Sequence, residues 1–151
     1  MTEEVARFVE RFGAMLEEGG VPRMPARVFS ALLATDSGRL TAAELAEQLQ
    51  ISPAAVSGAV RYLIQVRLVA REREPGSRRD VYALHSDLWY EAIVRREPLL
   101  MRWEEQMTEG VEAVGADTPA GRRLAHTAEF FRFLQVEMEA MLARWREHRR
   151  L

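Results

Sequence analysis

The stretch Ile51–Leu63, ISPAAVSGAVRYL, decides the fold. Ser52 is a helix-capping residue type, and Pro53 follows at the first helical position, where a missing N–H costs nothing. Val56, Val60 and Leu63 then recur at the spacing of one helix face. The opposite face holds Pro53, Ala54, Ser57, Gly58 and Arg61, small residues with a single charge. Two uses fit such a face. A helix with short side chains can lie close to base edges in a DNA major groove about 12 Å wide. It can equally pack against another protein helix.

The residues just before this stretch narrow the choice. Thr41 and Glu44 in LTAAELAEQL form a capping-box pattern, and Leu45, Ala46 and Leu49 give that helix a buried face. Gln50 and Ile51 make a short turn. Two short helices joined in this way are a helix-turn-helix, with Ala46 small where the helices would cross. Two strand-like runs follow, LVARERE and RDVYAL, joined by the turn signal PGS. A hairpin placed there is a wing. It carries Arg71 and Arg73 on one strand and Arg78 and Arg79 after the turn, positions suited to a minor groove or its flanking phosphates. Glu72, Glu74 and Asp80 could also balance these charges as an ordinary solvated hairpin.

Charge distribution supports a nucleic-acid partner where net charge does not. The chain of 151 residues has a formal charge of −2. Ser52–Asp80 nevertheless contains six arginines against three acids, a local balance of +3. The first twenty residues hold five glutamates and two arginines, a balance of −3. In major-groove reading, Ser57 can donate or accept, Ala54 can touch a thymine methyl, and Arg61 can bond guanine or grip a phosphate. Gly58 costs roughly 0.5–1 kcal/mol in a helix interior, which close approach to DNA would explain. Ser52 and Pro53 lie at the same leading end.

The run Leu40–Leu84 resembles the winged domain of the MarR superfamily. ISPAAVSGAVRYL with PGSRRDVY is most similar to its GbsR-like branch, where Ser-x-x-x-Val-Ser-x-x-apolar-Arg-x-Leu precedes a Gly-x-Arg-Lys/Arg wing. Those positions are Ser52, Val56, Ser57, Val60, Arg61 and Leu63, then Gly76, Arg78 and Arg79. The likeness extends from Gly20 to Leu84. There are departures: Gln50 and Arg67 stand where the family usually has glycine, and Gly76 where the wider superfamily has aspartate. The resemblance implies a homodimeric transcriptional regulator that binds double-stranded DNA at a pseudo-palindromic operator. Many such proteins are released by a small molecule, so an effector is a further expected partner, and the GbsR-like branch points to an ammonium-type one. Trp89, Tyr90 and Trp103 could line a pocket for a cation, although aromatics at this spacing also serve a core.

The flanking segments are helical in pattern. Val5, Phe8, Val9, Phe12 and Leu16 mark a first helix stopped by Gly19-Gly20. Val28, Phe29, Leu32 and Leu33 mark a second. Beyond Ser86 the chain reads as helix, with Pro98 kinking or dividing the first part. Gly115–Pro119 breaks it again, and Thr118 caps the last helix. On that helix the apolar residues from Phe133 round to Ala128 span roughly 220° of arc, against the ~100° stripe that faces one core. Leu100, Trp103, Met107, Val111 and Val114 add another stripe. This surplus predicts a homodimer.

The expected architecture is mainly α with a small β-hairpin. An N-terminal helix occupies 1–24, a winged helix-turn-helix domain 25–86, and a helical dimerisation region 87–151. His85, His126 and His148 match no metal spacing, and there is no cysteine, phosphate loop or nucleophile elbow, so neither enzyme, metal nor cofactor is expected. No apolar run approaches the ~20 residues of a membrane span. The acidic N-terminus is unlike a signal peptide, so a cytoplasmic protein without membrane contact is expected. The competing function is a winged-helix module that docks on protein and does not bind DNA.

Overall fold

The structure is a computed structural model that describes residues 1–85 and 97–150. It divides into two compact units, Met1–Ala92 and Ile93–Leu151. The first contains α1 (Glu3–Glu18), α2 (Arg23–Leu33), β1 (Arg39–Thr41), α3 (Ala42–Leu49), α4 (Pro53–Gln65), β2 (Val69–Arg73) and β3 (Asp80–Leu84). The second contains α5 (Glu97–Val114) and α6 (Pro119–Arg150).

Helix α2 is the centre of the first unit. Pro25, Ala26, Val28, Phe29, Ser30, Ala31 and Leu32 are all buried, so it is enclosed on nearly every side. It packs against α1, α3, α4 and β3. Among the described residues the one buried polar side chain, Ser30, donates its hydroxyl to the Ala26 carbonyl (2.8 Å), so no polar group is left unsatisfied by it. Around α2 the core takes Val9 from α1, Leu45 and Leu49 from α3, and Val56, Val60 and Leu63 from α4. Each such fully buried side chain contributes about 1.5–3 kcal/mol relative to exposure.

The wing is anchored in a three-stranded antiparallel sheet of order β1-β3-β2, where the sequence suggests only a two-stranded hairpin. The added strand is Arg39-Leu40-Thr41, paired with β3 so that Leu40 lies opposite Tyr82. Burial of Leu40 drives this pairing, and Thr41 both ends the strand and caps α3.

Three helices end in the same way. At Gly20, Gln50 and Arg67 the chain turns left-handed, with φ of 101°, 53° and 65°. In each case the N–H of that residue and of the next bond back to helix carbonyls. For Gln50 the acceptors are Glu47 (3.3 Å) and, from Ile51, Ala46 (3.1 Å). For Arg67 they are Ile64 (3.1 Å) and, from Leu68, Leu63 (3.0 Å). These are Schellman caps, which glycine fills without steric cost. Gln50 and Arg67 are the two positions where the resemblance noted above leads one to expect glycine. The chain keeps the backbone shape that glycine serves and bears the strain.

In the second unit, α5 and α6 form a helical hairpin. Thr118 caps α6 by accepting the Gly121 N–H (2.9 Å), and Gly115 turns at φ +94°. A side chain at Gly121 would collide with the Gly115 carbonyl oxygen. Along α6, Gly121, Leu124, Ala128, Phe131, Gln135, Met138 and Leu142 are buried or half-buried. Their alternating three- and four-residue spacing is that of a coiled-coil seam. Across the hairpin, the Glu104 carboxylate accepts from Arg132 Nε (2.8 Å) and Gln135 Nε2 (3.0 Å). The Gln135 hydrogen bond first, and the Arg132 contact second, hold its pKa below the ordinary carboxylate value.

The left-handed caps predict an effect on stability. Arg67→Gly should raise unfolding stability by about 0.5–1 kcal/mol, because glycine removes the steric cost of positive φ and Arg67 is exposed. Thermal or denaturant unfolding of the full chain would show it as a higher midpoint with an unchanged slope.

Candidate nucleic-acid interface

Three local devices set the direction of α4. Thr41 and Glu44 complete a capping box: the Thr41 hydroxyl accepts the Glu44 N–H (3.2 Å), and Glu44 accepts the Thr41 N–H (3.1 Å). The Gln50 cap ends α3. Ser52 then starts α4 by accepting the Ala55 N–H (3.1 Å), with Pro53 at the first position. The Ser52 hydroxyl oxygen is therefore engaged as a cap, which leaves its proton for an outside acceptor.

Helix α4 divides by face. Val56, Ala59, Val60 and Leu63 are buried. Ser52, Pro53, Ala54, Ser57, Gly58 and Arg61 are all exposed. A Cβ placed on Gly58 would meet nothing within 4 Å. Packing within this chain thus gives no reason for a glycine there, and the small face of α4 is not buried against another of its own helices. Arg61 has no ion pair among the described residues.

The wing turn has a defined geometry. The Ser77 N–H donates to the Glu74 carbonyl (3.0 Å) across Pro75 and Gly76, and Gly76 has φ +75°. Proline at the second position and a positive-φ glycine at the third make a type II turn. It projects Arg73, Arg78 and Arg79 into solvent, without ion pairs among the described residues. Arg71 is held differently. Its Nε lies 3.7 Å from Asp80, and its guanidinium carbon lies 5.9 Å from the centre of the Tyr82 ring. The register puts Arg71 directly opposite Tyr82, so the contact follows from strand pairing. Glu72 pairs with Arg39 of β1 (2.8 Å) rather than with a wing arginine. Glu72 and Asp80 thus lie beside Arg39 and Arg71, and of the three acids only Glu74 stands at the tip turn.

Arg39 and Tyr82 are the contributors that the sequence does not single out. The alternation of β3 hints at Tyr82, but the Arg39–Glu72 pair depends on the unforeseen strand β1. Of the aromatic residues considered for a pocket, Trp89 and Tyr90 lie outside the described residues. Trp103 lies on α5, about half exposed, with its ring 5.7 Å from that of Phe131. Among the described residues no group of three His, Cys, Asp or Glu could hold a metal, and no helix is long and apolar enough to cross a membrane.

Comparison with known proteins gives a consistent assignment. Residues 19–80 match a MarR family model, and residues 87–148 match the model of MmpR5-like MarR family transcriptional regulators. The HTH-type transcriptional regulator MmpR5 of Mycobacterium tuberculosis is 25% identical over 143 residues, covering 94% of this chain and 87% of its own. A crystal structure described as a transcriptional regulator superposes with a TM-score of 0.83 at 25% identity, covering 95% of this chain and 99% of the other.

The open space at Gly58 gives the interface a direct test. Gly58→Ala should stabilise the fold by about 0.5–1 kcal/mol, since alanine is the better helix former and meets no obstacle. If α4 lies against base edges, the same change should weaken DNA binding. Unfolding midpoints and duplex titrations of one preparation should therefore move in opposite directions.

Proposed function

We propose that this chain, a winged-helix protein of the MarR family, is a homodimeric transcriptional regulator that reads a pseudo-palindromic operator with α4 and the wing. The observation that carries this is the outward face of α4: small, exposed, with open space at Gly58, and bearing Arg61, which has no ion pair among the described residues. Ser57, Ala54 and Gly58 meet base edges, and Arg61 bonds a guanine or a phosphate. Ser52 and Pro53 approach with the helix N-terminus. Arg73, Arg78 and Arg79 reach the minor groove or its phosphates, and Arg71 works from its seat on Tyr82. The GbsR-like placement within the family rests on Ser52, Val56, Ser57, Val60, Arg61 and Leu63 with Gly76, Arg78 and Arg79.

The dimer is supported by apolar surface that the second unit does not bury. Phe130 and Phe133 are 53% and 59% exposed, and Met141 and Trp145 are 45% and 49% exposed. They lie beside the seam of α6, on a face that α5 leaves open. Exposed apolar area of this kind marks an interaction surface. A second copy satisfies it and doubles the reading helices. A small-molecule effector belongs to the same reading, with its site unassigned. The role is non-enzymatic, in a cytoplasmic protein.

Arg61→Ala should cost at least about tenfold in operator affinity, the size of a lost bidentate base contact. The dimer should persist in sedimentation, and log affinity of the wild type should fall steeply with log salt. Binding of the variant at wild-type strength would remove α4 from the reading role. If no genomic fragment were retained at low salt, with a protein captured instead, the chain would be a protein-docking module.

A further inference from the structure

Arg27 on α2 is an arginine with little access to water: its side chain is 15% exposed. It passes under α1 at Gly13, where an added Cβ would lie 3.5 Å from the Arg27 Cγ. All three of its nitrogens make contacts. Nε and Nη2 donate to Glu10 Oε1 on α1 (3.0 and 2.7 Å), and Nη1 lies 3.8 Å from Met24 Sδ. Nη2 also donates to the Leu49 carbonyl oxygen at the end of α3 (3.2 Å).

That last acceptor matters because of its place. The Leu49 carbonyl belongs to the peptide that enters Gln50, the left-handed residue between α3 and α4. Fixing this oxygen fixes the peptide plane from which the positive φ of Gln50 departs. Two Schellman bonds hold the turn from one side, and Arg27 holds it from the other. With glycine at 50 the turn would be at ease; with glutamine it is strained and needs support.

We infer that Arg27 is a positioning residue for α4: it clamps the Leu49–Gln50 peptide, and through Glu10 it makes α1 part of the DNA-reading apparatus. This rests on the DNA-binding role proposed above and adds a residue that touches no DNA. Nη2 makes both bonds at once; a lysine nitrogen sits one bond nearer the backbone, at about the Cζ position, and falls short of the Leu49 oxygen while it faces Glu10. Arg27→Lys keeps the charge facing Glu10 and loses the simultaneous bond to Leu49.

The test uses the full chain with Arg27→Lys, Arg27→Met and Glu10→Gln. Three quantities are measured: the unfolding midpoint, amide exchange at Gln50 and Ile51, and affinity for a selected operator beside a random duplex of equal length at the same salt. Arg27→Lys should keep its midpoint near that of the wild type. Its exchange at Gln50 and Ile51 should rise about tenfold, and its operator affinity should fall roughly five- to tenfold, with the random duplex bound as before. Arg27→Met should exceed it, and Glu10→Gln should fall between it and wild type. Wild-type exchange and operator affinity in both Arg27 variants would overturn the inference. So would losses on both duplexes that simply follow the midpoint, because that is the mark of a merely structural side chain. If the wild type selects no DNA at all, the DNA-binding role fails, and exchange at Gln50 and Ile51 alone decides whether Arg27 holds the turn.

Discussion

The left-handed turn at Gln50 is the constraint that sets the direction of α4, the helix proposed to read DNA. It ends α3, sets the path through Ile51, and delivers Ser52 to the position where it caps α4. Without it the buried row of Val56, Val60 and Leu63 could not face α2 while the small face of α4 pointed outward. Glycine would adopt this conformation freely. Glutamine does not, so the turn is held by bonds from its own helix and by Arg27 from a neighbouring one. For the reading role proposed for α4, rigidity is the functional return. Base-edge contacts demand placement within a fraction of an ångström, and strain that is fully supported gives a single conformation.

The outward face of α4 has few polar groups. Ser57 and Arg61 carry its hydrogen-bonding groups, with Ser52 at the cap and Gln65 in the last turn, and Ala54 and Gly58 offer close approach. Few direct base contacts leave much of the recognition to phosphate grip and DNA shape. The wing is suited to that share. Its type II turn holds Arg73, Arg78 and Arg79 in solvent, while Glu72 is drawn to Arg39 and Asp80 lies beside Arg71. The local surplus of positive charge is therefore presented at the tip, within a chain whose net charge is −2.

Much of this was legible in the sequence because the signals are local. Thr41 with Glu44, Ser52 with Pro53, and Pro75 with Gly76 each carry their geometry within four residues, and all three appear in the structure as expected. Strand β1 was not legible. Its three residues make sense only through Leu40 meeting Tyr82, far along the chain. Positive φ at Gln50 and Arg67 has no signature of its own, since neither residue type favours it; only the family likeness marked both positions. Arg27 escaped for a similar reason. Its partners lie 17 and 22 residues away, and an arginine by itself reads as surface. The broad apolar arc of α6 was visible, but its division was not: the structure separates a seam facing α5 from Phe130, Phe133, Met141 and Trp145, which remain open.

In the proposed dimer, two copies of α4 read one operator. The most direct measurement is selection of bound fragments from genomic DNA, followed by footprinting of the strongest. Two half-sites related by a two-fold axis should be protected, with centres about one helical turn (~34 Å) or a multiple of it apart. A single unsymmetrical footprint, or no enriched fragment at low salt, would contradict it.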